Sequence, residues 1–213
     1  MDFELMGDPN NRKPMANYMR DQFVFAGVKA KARQEQAKPL IKASKSLAFN
    51  EIKTLIANLY ARSEREYQYT AIDVAVANVR RFNLAELQAL LPFVTQKAWW
   101  DTVDSWRKVL GLYIARHQED KATVFSWLYQ QDDFWLRRLS IILQLTEKEK
   151  TDQIMLTQAI ENDLNTDEFF IQKAIGWALR QYSKLNPNWV ADFIADHQLS
   201  KLAVHEGSKY LNK

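Results

Sequence analysis

Four stretches of this sequence, SEREYQYTAIDVAV, QKAWWDTVDSW, DDFWLRRLSIIL and DEFFIQKAIGWAL, each set a large aromatic near the start of a run with helical spacing. The aromatics are Tyr67, Trp100, Trp135 and Phe170, at intervals of 33, 35 and 35 residues. Apolar residues recur at three and four, as in Leu84, Leu87 and Leu91 or Ile171, Ile175 and Leu179, the spacing of one helix face rather than of a strand. Only five glycines and five prolines interrupt the chain. A period of this size with two helices per unit specifies an all-α fold, an α-solenoid of helix-pair repeats in which each pair buries its apolar face only against its neighbours. About a dozen short helices are expected, starting at Ser63-Glu64-Arg65-Glu66 and Asn83-Leu84-Ala85-Glu86, which have capping-box spacing, and at Asn186-Pro187, a cap residue before proline. A solenoid curves, and aligned positions of successive repeats converge on its concave groove.

With 213 residues, 47% of them hydrophobic, the chain can bury a full core, and the sequence reads as one array over 1–213 with a loosely ordered segment at 1–13. There is no cysteine, and His117, His197 and His205 are scattered, so disulfides, thiolate metal sites and a histidine ligand set are not expected. No metal or cofactor is called for. The opening MDFELMGDPNNRKP lacks an apolar run, and nothing approaches the roughly 18 apolar residues of a membrane span. A cytosolic monomer with no membrane partner is expected. Net charge is +3, but residues 12–53 hold ten Lys/Arg against three acids. Such an arm suits a phosphate backbone, and also suits a merely solvated helix surface.

The pair Trp99-Trp100 raises the first question about function. Adjacent helical positions point about 100° apart, so both rings cannot enter one core. Trp100 shares a face with Asp104, one turn on. Asp101, in the first turn, fits a cap or dipole role, whereas Asp104 lies deeper and either serves a ligand or pairs with Arg107 or Lys108. Arg137, Arg138, Lys173 and Trp177 follow later aromatic starts and are groove candidates on the same grounds, Arg138 alternatively holding Asp104. Lys173, Trp177, Arg180 and Lys184 form one stripe, with the apolar face through Ile171, Ala174, Ile175, Ala178, Leu179 and Tyr182. A tryptophan among three cations suits a phosphate backbone with a sugar or base against the ring. Trp106, Trp127, Trp135 and Trp189 sit on apolar stripes and read as core.

WWDTVDSW, FWLRRLSI and FFIQKAIGWALRQYSKLNP resemble the AlkD-like family of bacterial DNA alkylation-repair glycosylases, and PMANYMRDQFVFAGV is similar to that family's opening helix. The match runs from about residue 14 to about residue 200, with the motifs in order. The resemblance implies a HEAT-like solenoid and excision of cationic alkylpurines, mainly 7-alkylguanine and 3-alkyladenine, from duplex DNA. Carried over by position, it implies that Trp100, Asp104 and Trp177 approach the lesion's deoxyribose, and that Tyr18 and Arg138 contact or order the surroundings. Lys173, Arg180 and Lys184 join them as DNA-binding candidates from the stripe. Two stretches depart from the family's pattern: Lys29-Ala30-Lys31-Ala32-Arg33 stands where the family tends to a Thr-Pro turn, and Val204-His205-Glu206-Gly207 replaces a Ser-Arg-Glu-type run.

The chemistry is coherent in its own terms. An alkylated purine carries positive charge and leaves as a neutral base, with no general acid to protonate it. The transition state then resembles an oxocarbenium ion, which a carboxylate can stabilise while orienting water. Indole faces add cation–π attraction of roughly 0.5–2 kcal/mol each. Two other functions fit a basic helical repeat: a non-catalytic DNA-binding relative, against which Trp100, Asp104 and Trp177 together argue, and a HEAT-type protein-binding scaffold, against which the Lys173–Lys184 row argues.

Overall fold

A computed structural model describes residues 3–211 of the chain. They form thirteen α-helices joined by turns and short 3-10 segments, with no strand among the described residues. The helices gather into two compact units, Met1–Lys97 and Ala98–Lys213, a division that no linker composition signals in a sequence that reads as one array.

The first unit holds α1 (Pro9–Tyr18), α2 (Ala30–Ser44), α3 (Phe49–Ala61), α4 (Arg65–Asn78), α5 (Leu84–Gln88) and α6 (Pro92–Thr95). Helix α4 packs against both α2 and α3, burying Tyr67, Ala71, Ile72, Val74 and Ala75. The expected capping box at Ser63–Glu66 does not form. Helix α4 starts at Arg65 with Glu64 as N-cap, and the buried Glu66 carboxylate accepts the backbone N–H groups of Ala26, Gly27 and Val28 at 2.9, 2.9 and 3.0 Å. Three donors from a loop otherwise stranded away from water are a stronger demand on Glu66 than one helix-end amide. Gly27, at φ +91°, makes that loop possible, since a Cβ there would lie 2.1 Å from the Asp8 carbonyl oxygen.

Within the segment expected to be loosely ordered, 1–13, the described residues make defined contacts. Asp8 caps α1 by accepting the Asn10 N–H at 2.9 Å. The Leu5 N–H donates to the Tyr67 hydroxyl, Met6 exchanges two hydrogen bonds with the Gln36 amide, and Glu4 takes both Arg62 terminal nitrogens at 2.9 and 2.7 Å. Local composition could not show this, because the partners that anchor residues 4–6 lie thirty or more residues away. Residues 1 and 2 lie outside the described residues.

The second unit holds α7 (Trp100–Ile114), α8 (Lys121–Ser126), α9 (Phe134–Ile142), α10 (Gln153–Glu161), α11 (Phe169–Tyr182), α12 (Pro187–Asp196) and α13 (Lys201–Gly207). The repeat is visible in the packing. Helix α9 contacts both α7 and α11, and α8, α10 and α12 each pair with the helix before them. Each of α7, α9 and α11 opens with its repeat aromatic within the first two residues. The core is built from Val103, Trp106, Val109 and Leu110 of α7, Leu139 and Ile142 of α9, and Ile171, Ile175 and Leu179 of α11. Burial of each such side chain stabilises the fold by roughly 1.5–3 kcal/mol. Trp106 and Trp135 are core as expected, while Trp127 and Trp189 are half-buried. The Asn83–Glu86 capping box and the Asn186-Pro187 start both form as read.

Helices α11 and α13 approach closely around a glycine in mid-helix. A Cβ on Gly176 would stand 2.5 Å from Cβ of Glu206 and 3.0 Å from the Ala203 carbonyl oxygen. Both obstacles are fixed to the α13 backbone. Gly111 of α7 is the opposite case, with nothing nearer than Thr146 Oγ1 at 3.8 Å. Gly176→Ala is expected to destabilise the protein by about 1–3 kcal/mol through overpacking, and Gly111→Ala to stabilise it by up to about 1 kcal/mol through helix propensity. Urea midpoints of the two variants check the opposite signs.

Candidate active site

The site residues of the second unit sit on the same three helices that carry its repeat. The opening WWD is resolved by division of labour. Trp99, the N-cap of α7, turns into an aromatic cluster, with ring centroids 5.0 Å from Phe170 and 5.9 Å from Trp135, which are themselves 5.0 Å apart. Edge-on and tilted rings at these distances are favourable quadrupole arrangements. Trp100 is then the first residue of α7 and stays half-exposed. Asp101 lies in the first turn, where a carboxylate complements the helix dipole.

Asp104, one turn beyond Trp100, is gripped from the neighbouring helix. Arg138 of α9 donates from Nε to Oδ1 at 2.9 Å and from Nη2 to Oδ2 at 2.8 Å. Its remaining terminal nitrogen, Nη1, donates to the backbone carbonyl of Phe170 at the start of α11. One guanidinium thus ties α7, α9 and α11 together. Arg138 itself is only 4% exposed, and its contacts are those of the alternative in which it holds Asp104. The Asp104 side chain keeps 19% of its surface, giving it a tethered side and an open one. Burial pushes the Asp104 carboxyl above its ordinary 3.8; the hydrogen bonds and charge of Arg138, with the charge of Arg107, oppose that push. Burial also lowers Arg107, against the pull of Asp104.

Arg137, the other groove candidate on this helix, makes different contacts. Its Nε meets Asp163 at 2.9 Å and its Nη1 donates to the carbonyls of Gln131 and Asp132. It closes the turns before α9 and after α10.

The stripe on α11 is present. Ile171, Ala174, Ile175, Ala178 and Leu179 are buried, and Lys173, Trp177 and Arg180 are half-exposed. What the sequence reading did not find is the anion among them. Glu206 of α13 receives Lys173 at 2.9 Å on Oε1, and Arg180 and Lys209 each at 2.7 Å on Oε2. Hydrogen bonds from Lys209 and Lys173 hold the Glu206 carboxyl down to about 2. The only signal in the sequence was the departure at Val204-His205-Glu206-Gly207. Lys184 lies past the end of α11, bonded to Gln181 and 5.1 Å from the centre of the Tyr210 ring, outside the Glu206 cluster.

Tyr18 belongs to the first unit, at the end of α1, and is 71% exposed. It lines an apolar cleft with Met15, Phe25, Val28 and Tyr69. The basic arm of that unit is partly spent on structure: Arg33 is buried against Asp73 at 2.6 Å, and Lys13 meets Asp21. Lys29, Lys31, Lys42, Lys45 and Lys53 remain exposed. Among the described residues no helix is long and apolar enough to cross a membrane. His117, Glu119 and Asp120 approach within 4.8 Å, but Asp120 is engaged by the Tyr113 hydroxyl at 2.6 Å, and the group carries no assignment.

An all-helical repeat protein with a half-buried carboxylate and half-exposed indole and cationic side chains on successive repeat helices is the class these features define. The family model described as DNA alkylation repair enzyme matches residues 1–211. A solved structure described as "Predicted DNA alkylation repair enzyme from Enterococcus faecalis" is similar with a TM-score of 0.97 and 48% sequence identity, covering 100% of both chains. No curated protein matches. The chain belongs to the DNA alkylation repair enzyme family.

Removing the Arg138 fork leaves the half-buried Asp104 carboxylate uncompensated. Arg138→Met is expected to cost about 3–5 kcal/mol, the scale for breaking one side of a buried pair. Arg138→Lys should recover only part of it, since an ammonium cannot make the planar two-point contact. Urea denaturation of both variants measures the difference.

Proposed function

We propose that the protein is a monofunctional DNA glycosylase that hydrolyses the N-glycosidic bond of cationic alkylated purines, 7-alkylguanine and 3-alkyladenine, in duplex DNA. The observation that carries this reading is Asp104, a carboxylate fixed at both oxygens by a buried arginine yet still open on one side. A carboxylate held in that way suits a reaction whose difficulty is positive charge growing on a sugar. It costs little reorganisation when the charge appears, which is the condition for differential stabilisation of a transition state.

In this mechanism the alkylated base leaves as a neutral purine, taking the electron pair of the glycosidic bond. Asp104 stabilises the oxocarbenium-like sugar and orients water toward the anomeric carbon. The water oxygen bonds to that carbon, its proton is released, and the product is an abasic site. Trp100 and Trp177 present indole faces to the sugar. Arg138 is a positioning residue: with three of its five N–H donors on Asp104 and the Phe170 carbonyl and only 4% of its surface exposed, it acts through the carboxylate. Lys173, Arg180 and Lys184 contribute phosphate contacts that position the duplex without reading sequence, and Tyr18 contributes a contact from the first unit. A neutral damaged base, lacking a charge to lose, is a poor substrate. The family membership supports action on alkylated DNA; Asp104 and its neighbours support cleavage at the sugar, and the choice of 7-alkylguanine and 3-alkyladenine is what the resemblance implies.

The deciding experiment is single-turnover incubation with duplex DNA carrying one 7-methylguanine, scoring abasic sites. Release without added metal or cofactor, and without strand nicking trapped by borohydride, is expected. Failure to release any cationic purine while the duplex still binds would leave a DNA-binding relative without turnover. Asp104→Asn should lose about 2–4 kcal/mol of transition-state stabilisation with duplex affinity nearly unchanged. Because the exchange also disturbs Arg138, rates are compared per folded molecule. The pH dependence has a definite sign. Asp104 acts ionised and burial raises its pKa, so excision, corrected for uncatalysed depurination, should fall as pH drops through a value above 3.8. The Asn variant should lack that limb.

A further inference from the structure

Three cations share one carboxylate on the stripe between α11 and α13, and charge counting alone does not explain why. Resting on the DNA-binding reading above, we infer that Glu206 is a positioning residue for duplex binding, a buried anion that gathers Lys173, Arg180 and Lys209 into one preformed site for a backbone phosphate. The carboxylate lies beneath, with 11% of its side chain exposed, while the cations keep 40%, 29% and 40% of theirs. The anion therefore faces the protein and the cations face outward. One negative charge against three leaves a net excess of two positive charges at a single spot. A lysine ammonium carries three donors and a guanidinium five, and the bond each makes to Glu206 leaves others for a second anion.

Two features hold the arrangement ready. Gly176 brings the Glu206 backbone against α11 so closely that a methyl group would stand 2.5 Å from its Cβ, which fixes where the carboxylate begins. Lysine and arginine side chains carry large rotamer freedom, and ordering them on binding costs free energy. A carboxylate that has already drawn three such chains together removes part of that cost before DNA arrives. Unlike Lys184, which is tied to Gln181, these three form a single unit.

Positioning and mere neutralisation forecast opposite signs. Glu206→Gln keeps the shape and removes the charge, making the local surface more positive. If Glu206 only offsets its neighbours, the variant binds undamaged duplex DNA more tightly, with a steeper dependence of log affinity on log salt. If it positions them, affinity falls by about threefold or more and the slope becomes shallower by about 0.9, one phosphate contact, in spite of the added positive charge. Fluorescence anisotropy of a labelled duplex across a salt series reads both, with thermal melts reporting the folded fraction. Tighter or unchanged binding by the Gln variant, while the wild type binds, overturns the inference. A wild-type protein that fails to bind duplex at low salt overturns the DNA reading itself, and the inference with it. Should the Gln variant not fold, Glu206→Asp decides: it keeps the charge but shortens the reach, so positioning forecasts weakened binding and charge balance forecasts wild-type affinity.

Discussion

The Arg138 guanidinium is the interaction on which the site in the second unit depends. It reaches from α9 to a carboxylate on α7 and a carbonyl at the head of α11, so successive repeats are related by a rigid planar ion as well as by apolar contact. Beside it, Trp99, Trp135 and Phe170 form an aromatic cluster from the starts of the same three helices. The cluster sets how those helix starts meet, and the guanidinium then fixes which way Asp104 points. An apolar repeat can slip by small amounts at little cost, whereas two-point hydrogen bonding of a carboxylate cannot.

The repeat was legible because its signal is local and periodic. Aromatic positions at near-constant intervals, apolar residues at three and four, and the Asn83 and Asn186 caps are each readable within a turn or two, and they were found where expected except that α5 ends at Gln88, before Leu91. The α11 stripe was legible for the same reason. What escaped were contacts between residues far apart in sequence. The Glu66 side chain abandoned its capping position for a loop some forty residues earlier, and the N-terminal segment is pinned by Gln36, Arg62 and Tyr67. Neither leaves a mark in local composition.

The same limit governed the candidate site. Residue types and spacing brought Trp100 and Asp104 onto one face and offered Arg138 two roles, of which its burial supports the positioning one. They could not separate Arg137 from its neighbour, since the two adjacent arginines differ only in which helix end each meets. They also showed a row of cations without its anion. Glu206 lies more than twenty residues from Lys173 and Arg180, on a helix that only tertiary contacts bring to theirs. A positive stripe read from sequence therefore overstates local charge when a neighbouring helix supplies the counterion.

The glycine at the α11–α13 crossing also bears on which parts of the C-terminal region can change length. The register between those helices is set by a backbone contact, with Gly176 seated against Ala203 and Glu206. The connections around α12 only have to span the distance, and the entropy of closing a longer loop grows slowly with its length. Residues inserted between Asp196 and Ser200 would then be absorbed as extra surface, whereas one residue inserted within α13 ahead of Glu206 would turn every side chain after it by about 100° and take the carboxylate away from Lys173 and Arg180 at once, leaving it only Lys209, which turns with it. Tolerance to insertion in this region is thus divided sharply at the start of a seven-residue helix.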